Sequence, residues 1–329
     1  MKVIIPMGGG GTRMRPHTYT KPKPMVTVAG KPVLGHILDA LAPLSPDDVV
    51  FIVGQMADKV QQYVSAHYSF ATHYVEQKEP KGQAHALHLA RDYMTGPIVI
   101  VFVDTIFEAD MRNIPQDCDV VCYVKEVPDP RRFGIAILED GYVTRLVEKP
   151  ANPVSNLAVI GLYYIREGET LAAAVEELLR RDIKTKGEYF LADALQLMID
   201  GGAKFRAVTV DVWEDCGKPE AVLQTNRYLL DKSGGHAGQA QDSIIVPPVH
   251  IADSARVVHS VIGPHVSISE NAVIERSIIK DSIIEPGAHI EDAMLDQSII
   301  GDNARVRGDY LQLNLGDTSL VDFTGHGYE

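Results

Sequence analysis

Residues 7–25 read MGGGGTRMRPHTYTKPKPM, placing four glycines and a dense set of cations directly behind a short apolar run at residues 2–6. A glycine-rich turn after a strand lets backbone N–H groups approach phosphate oxygens with no side chain in the way. The cations that follow neutralise the phosphate charge, and prolines at 16, 22, 24 and 32 stiffen the segment that carries them. Two common phosphate motifs do not fit. A dinucleotide fingerprint needs glycine at position 13, where this chain has Arg13, and a Walker loop needs a terminal Gly-Lys-Ser/Thr that is absent. Asp104 closes an apolar run at residues 98–103 and is a second chemically competent group in a position that matters.

The elements that must position these groups alternate. Apolar spacing predicts helices over residues 33–41, 57–67, 82–94, 169–181, 189–200 and 219–230. Strands are expected at 2–6, 49–54, 72–75, 98–103, 120–125, 135–138, 142–147 and 205–210. This is the grammar of a mostly parallel sheet covered on both faces, in which ligands sit beyond the carboxyl ends of the strands. The glycine run and Asp104 both fall there. After the Gly-rich stretch at 231–240, aliphatic residues recur five or six apart, from Ile251, Val257, Ile262 and Ile268 to Ile300 and Val306. One inward aliphatic residue per short strand is the signature of a parallel β-helix.

Bulk properties narrow the partners. The net charge of -13 argues against a nucleic-acid polymer. Residues 1–38 nevertheless carry Lys2, Arg13, Arg15, Lys21, Lys23 and Lys31 and no acid, a local basic patch suited to a small polyanion. No apolar stretch approaches the ~18 residues of a membrane span, so no membrane partner is expected and a cytoplasmic location is the default. Cys118, Cys122 and Cys216 fit neither a disulfide framework nor a zinc site and read as reduced and structural.

The run GGGGTRMRPHTYTKPKPM resembles the G-G-x-G-T-R-x-x-P-x-T…P-K-P signature of sugar nucleotidyltransferases, which join a sugar 1-phosphate to a nucleoside triphosphate and release pyrophosphate. Further pieces follow in that family's order: EPKGQAHAL at 79–87, FVDTIF at 102–107, RFGIAILEDG at 132–141, EKP at 148–150, SNLAVIGLYYI at 155–165 and WEDCGKPE at 213–220. The resemblance covers residues 1 to about 230, and several subfamilies carry a β-helix tail. It implies an α/β fold: a Rossmann-like mixed-sheet nucleotidyltransferase domain at 1–232, followed by a left-handed parallel β-helix of hexapeptide repeats at 243–310. Residues 233–242 would be a linker and 311–329 a C-terminal tail.

By the same resemblance, Gly8, Gly9, Gly10, Gly11 and Thr12 supply the phosphate turn. Arg13 and Lys23 embrace the triphosphate, and Asp104 and Asp215 are Mg²⁺ ligands. Arg13, Lys23 and Asp104 are the expected catalytic set. Arg15 and Lys21 read as surface charges. Glu148 would accept hydrogen bonds from sugar hydroxyls and Lys149 would meet the sugar phosphate, with Gly134, Asn156 and Val159 lining the sugar site. Gln77 and Gly82 would read the base, because an amide offers a donor and an acceptor that match a pyrimidine edge. The family usually has glycine before the first aspartate, where this chain has Val103. His85 and His88 lack a third ligand and read as helix surface or packing. His259, His265 and His289 raise acyl transfer, which nothing else in the short β-helix supports.

The implied reaction is transfer from dTTP to glucose 1-phosphate, ahead of UTP- or GTP-using versions and of a catalytically silent regulatory or scaffold relative. The latter commonly lacks the arginine, lysine or aspartates that are present here. The β-helix is expected to drive self-association into a trimer or tetramer through its flat faces and edges.

Overall fold

The computed structural model describes residues 1–308. The expected tail at 311–329 lies outside the described residues. The α-helices are labelled in chain order: α1 Val33–Leu41, α2 Ala57–His67, α3 Gln83–Leu89, α4 Gly168–Arg180, α5 Leu191–Asp200 and α6 Pro219–Ser233.

A nine-stranded mixed sheet organises residues 1–232. Lys2–Pro6 lies at its centre, parallel to Asp48–Val53 on one side and to Ile98–Val101 on the other. Its side chains alternate between two cores. Val3 and Ile5 join α1 and α2, whereas Ile4 joins α3, α4 and α5. A strand covered on both faces must be apolar throughout, which is why these strands read as continuous apolar runs. Beyond Ile98–Val101 the sheet turns antiparallel through Leu157–Ile165, which pairs with Val120–Glu126 and with the hairpin Gly134–Glu139/Tyr142–Glu148.

The sequence expectation and the structure differ in three places. The helix expected at 82–94 is α3 followed by a single 3₁₀ turn, Arg91–Tyr93, which still carries Met94 into the core. The strand expected at 98–103 ends at Val101, and the next segment, Thr105–Glu108, leaves the main sheet to pair with Val212–Asp215. Residues 233–242 are not a linker. Gly235–Ala237 pairs with Val249–Ile251 and Ala240–Gln241 with Val257–Val258, so the Gly-rich stretch is the first coil of the β-helix.

That β-helix is three stacks of short parallel strands, two of five strands and one of four. Ile251, Val257, Ile262, Ile268, Ile274, Ile279, Ile284 and Ile290 all point inward and are buried. Its corners need left-handed backbone, and one corner stacks Asp242, His259, Arg276 and Asp292, with φ of 47°, 50°, 47° and 53°. His259 is thus a corner residue. His265 sits at another and meets the Asp231 carboxylate of α6 at 2.7 Å, a contact that ties the β-helix to the first domain. The three cysteines are free and buried. No helix among the described residues is long and apolar enough to cross a membrane.

Candidate active site

The carboxyl end of Lys2–Pro6 delivers Met7 into the core and then releases the chain into Gly8–Gly11. Gly11 has φ +57°, and a Cβ there would lie 3.1–3.2 Å from the side chains of Thr18 and Lys23. Glycine is therefore favoured by the left-handed backbone, and any side chain there would push Thr18 or Lys23 aside by a few tenths of an ångström. Thr18 Oγ1 donates to the Gly11 carbonyl oxygen at 2.8 Å, and fully buried Met14 anchors the turn that follows. Lys23 opens a second short turn, Lys23–Met25, and its Nζ lies 3.5 Å from Asp104 Oδ2.

Asp215 reaches the same place from far along the chain. Val212–Asp215 runs antiparallel to Thr105–Glu108 with Asp215 opposite Thr105. The Cys216 amide donates to the Asp104 carbonyl oxygen at 2.8 Å, and the Gly217 amide donates to Asp215 Oδ1 at 2.6 Å. A Cβ on Gly217 would stand 2.7 Å from that oxygen and 3.3 Å from Arg13 Nη2, so the three residues are packed together. Burial pushes the Cys216 thiol up to about 12, which keeps it protonated and leaves carboxylates as the anionic donors here.

Two cavities meet at this point. The first, about 530 Å³, is lined by Arg13, Asp104, Gly134, Glu148, Lys149, Val159 and Asp215. The second, about 480 Å³, is lined by Gly8, Gly9, Gly10, Gly11, Thr12, Arg13, Lys23, Gln77, Gly82, Asp104 and Lys149. Arg13, Asp104 and Lys149 border both.

In the first cavity, Glu148 ends its strand opposite Gly134, and a Cβ on Gly134 would come within 3.0 Å of Glu148 Oε2. Neighbouring residues of a strand face opposite ways. Lys149 escapes that rule because its backbone turns to φ +44°, which brings its Nζ 3.2 Å from Glu148 Oε1 in the same cavity. In the second cavity, Gln77 is buried, and its Nε2 points at the Gly82 carbonyl oxygen 3.5 Å away. Gly82 has φ +113°, and a Cβ would clash with the Tyr189 carbonyl oxygen at 2.5 Å. Val103, standing where the family usually has glycine, is buried and lines this cavity.

Asn156 is a correction. It is exposed, lies in a separate depression with Pro153 and Val154, and its carbonyl oxygen accepts from the Val127 amide. It stands just before the strand Leu157–Ile165 that carries Val159 into the first cavity. Lys21 is a second correction, being almost fully buried rather than a surface charge. The sequence reading also passed over Phe133 and Trp213, which meet edge to face at 4.8 Å and wall the first cavity. The sequence signal was that each lies inside a motif, Phe133 in RFGIAILEDG and Trp213 in WEDCGKPE.

Asp104 and Asp215 together suit a hard cation. Among the described residues, no cluster of three or more His, Cys, Asp or Glu is placed to hold a metal alone. A cation between these two carboxylates would complete its shell with phosphate and water oxygens, which is how Mg²⁺ is commonly bound.

The glycine loop, the paired aspartates and the joined cavities sit in a chain that belongs to the nucleotidyl transferase family, whose pattern matches residues 2–232. Residues 232–290 match the GlmU-like C-terminal hexapeptide pattern. Similar proteins include a glucose-1-phosphate thymidylyltransferase of Streptomyces griseus, 31% identical over 93% of each chain. A UTP--glucose-1-phosphate uridylyltransferase AglF of Haloferax volcanii is 33% identical over 71% of this chain and 98% of its own. A bifunctional protein GlmU of Methanocaldococcus jannaschii is 30% identical over 96% of this chain and 81% of its own. Among solved structures, a putative glucose-1-phosphate thymidylyltransferase from Bacillus anthracis superposes with a TM-score of 0.59 at 27% identity, covering 70% of this chain and 94% of that one.

Proposed function

We propose that this protein is a sugar-1-phosphate nucleotidyltransferase that uses dTTP and glucose 1-phosphate and releases pyrophosphate. The observation that carries this reading is the convergence of Arg13, Lys23, Asp104 and Asp215 where the two cavities join. A silent relative would have no need of all four in one cleft. The similarity to the Streptomyces thymidylyltransferase over nearly the whole chain supports the choice of base and sugar. The similarity to the Haloferax uridylyltransferase keeps UTP as the second reading.

The sugar phosphate oxygen is already ionised at neutral pH, so no general base is needed, and catalysis reduces to alignment and charge stabilisation. In this reading the glycine-loop amides and Thr12 hold the triphosphate, while Arg13 and Lys23 offset the charge that develops at the α-phosphorus. Gln77 and Gly82 take the pyrimidine edge. Lys149, bordering both cavities, meets the sugar phosphate and aims it at the α-phosphorus. Glu148 accepts from sugar hydroxyls, with the backbones of Gly134 and Val159 beside it. Mg²⁺ held by Asp104 and Asp215 would neutralise and orient phosphate oxygens. An activity matrix of five nucleotides against five sugar 1-phosphates, read as pyrophosphate release, tests the proposal. Release with none of the pairs overturns it, and release with UTP alone selects the second reading.

The proposal extends to self-association as a trimer or tetramer. Ile244, Val261, Ile278 and Met294 stack in register on one β-helix face, and Ile244, Ile278 and Met294 are 63%, 46% and 80% exposed. An outward apolar ladder of this kind suits packing against a second copy. A single monomeric species in light scattering would count against it.

A further inference from the structure

Glu285 lies in the β-helix, 258 residues from Thr27, yet its carboxylate is fully buried against the first domain. Oε1 accepts from the Thr27 amide at 3.1 Å, and Oε2 accepts from Thr27 Oγ1 at 2.8 Å. Lys21 Nζ also lies 2.8 Å from Oε2, and it reaches the β-helix a second time at Asp302 Oδ1, 2.7 Å away. One carboxylate therefore holds both sides of the short segment that presents Lys23 to the cleft. The same segment is pinned further on. Asn226 Oδ1 accepts from the Ala29 amide at 2.9 Å and from Ser267 Oγ of the β-helix at 2.6 Å.

We propose that Glu285 is a positioning residue for nucleotidyl transfer: the β-helix, through this carboxylate, sets the place of Lys23. The inference rests on the assignment of Lys23 to the triphosphate. A buried ion pair is a weak source of stability, because desolvation offsets the attraction, and the role assigned to this one is to hold the segment in place. Here every acceptor direction used points at the 21–27 segment. A misplacement of Lys23 by a fraction of an ångström is felt at the α-phosphorus, because the lysine works by directed charge. The second domain then contributes to the reaction without lining the cleft.

The test uses the full chain with Glu285→Gln, which keeps the shape and removes the charge. The wild type is first assayed for pyrophosphate release on the preferred substrate pair. The variant is expected to lose about 10- to 100-fold in kcat. KM for the sugar phosphate should stay within about twofold, since that end of the cleft is untouched. In a Lys23→Ala background the same change should cost less than about twofold, because the effect passes through Lys23. Equal losses in the two backgrounds overturn the proposal. Hydrogen exchange supplies a readout independent of activity: amides 23–28 should exchange faster in Glu285→Gln while the inner β-helix strands keep their protection, and unchanged exchange at 23–28 overturns it. If wild type is inactive with every pair, the functional reading fails and the exchange result alone decides the structural coupling. If Glu285→Gln does not fold, Thr27→Val removes one donor to the same carboxylate and should show the same pattern with smaller amplitude.

Discussion

The backbone amide of Cys216 donates to the carbonyl oxygen of Asp104 at 2.8 Å. This bond and the short antiparallel pairing beside it carry Asp215 across the molecule to Asp104. Two carboxylates that cannot be related by any local pattern become neighbours at the mouth of the glycine loop.

Asp104→Asn is expected to lower turnover by at least ~10²-fold, as for the loss of a charge-stabilising group. Asp215→Asn should act in the same direction, and both should raise the Mg²⁺ concentration needed for half-maximal activity. Steady-state pyrophosphate release over a Mg²⁺ titration checks this. Near-normal turnover in Asp104→Asn with unaltered Mg²⁺ dependence would remove Asp104 from the reaction.

Gly217→Ala probes the packing around the second carboxylate. The added methyl would stand 2.7 Å from Asp215 Oδ1 and 3.3 Å from Arg13 Nη2, so either the carboxylate or the guanidinium must move. We expect about a tenfold or greater loss of kcat with little loss of thermal stability, because a 1 Å displacement at a reacting centre is costly. Full activity would show that Asp215 has room to adjust.

Gln77 should govern the choice of base. Gln77→Glu replaces the amide donor with a second acceptor, so dTTP and UTP are expected to lose kcat/KM by about 10²-fold or more through an unpaired buried group. GTP should lose less. Equal losses for all nucleotides in competition assays would mean that Gln77 supports the fold of the site and does not read the base.

His36 makes stability depend on pH. Burial lowers its pKa from 6.5 to about 4, against the opposing hydrogen bond from its Nε2 to the Val28 carbonyl oxygen at 2.9 Å. Between these values the unfolded chain binds the proton and the folded chain does not, so stability falls as pH drops from 6.5 towards about 4. Replacing His36 with Gln should flatten that slope by up to ~1.4 kcal/mol per pH unit, one proton's worth. Urea unfolding at pH 7, 6 and 5 measures it, and parallel slopes in the two proteins would exclude His36 as the source.

The glycine loop with Arg13 and Lys23, and the inward aliphatic ladder of the β-helix, were legible in the chain because each is written locally. A loop directly after a strand is positioned by its neighbours, and an inward residue every five or six positions needs no distant information. The cleft residues Glu148 and Lys149 were legible only through resemblance, since an adjacent pair on a strand should face opposite ways; the left-handed backbone of Lys149 overrides that. Lys21 read as surface because nothing local announces the carboxylates of Glu285 and Asp302 that bury it. Asn156 read as a cleft residue because motif order does not specify which face a strand entry presents. The sequence by itself thus determined the strand order of chemistry, meaning which groups stand at strand ends and which aliphatic residues turn inward. Only the tertiary structure decided that Asp215 reaches Asp104 and that the β-helix grips the lysine segment. Those contacts join residues far apart in the chain, and pairing at such separations is set by packing of the whole molecule rather than by any pattern in the segments themselves.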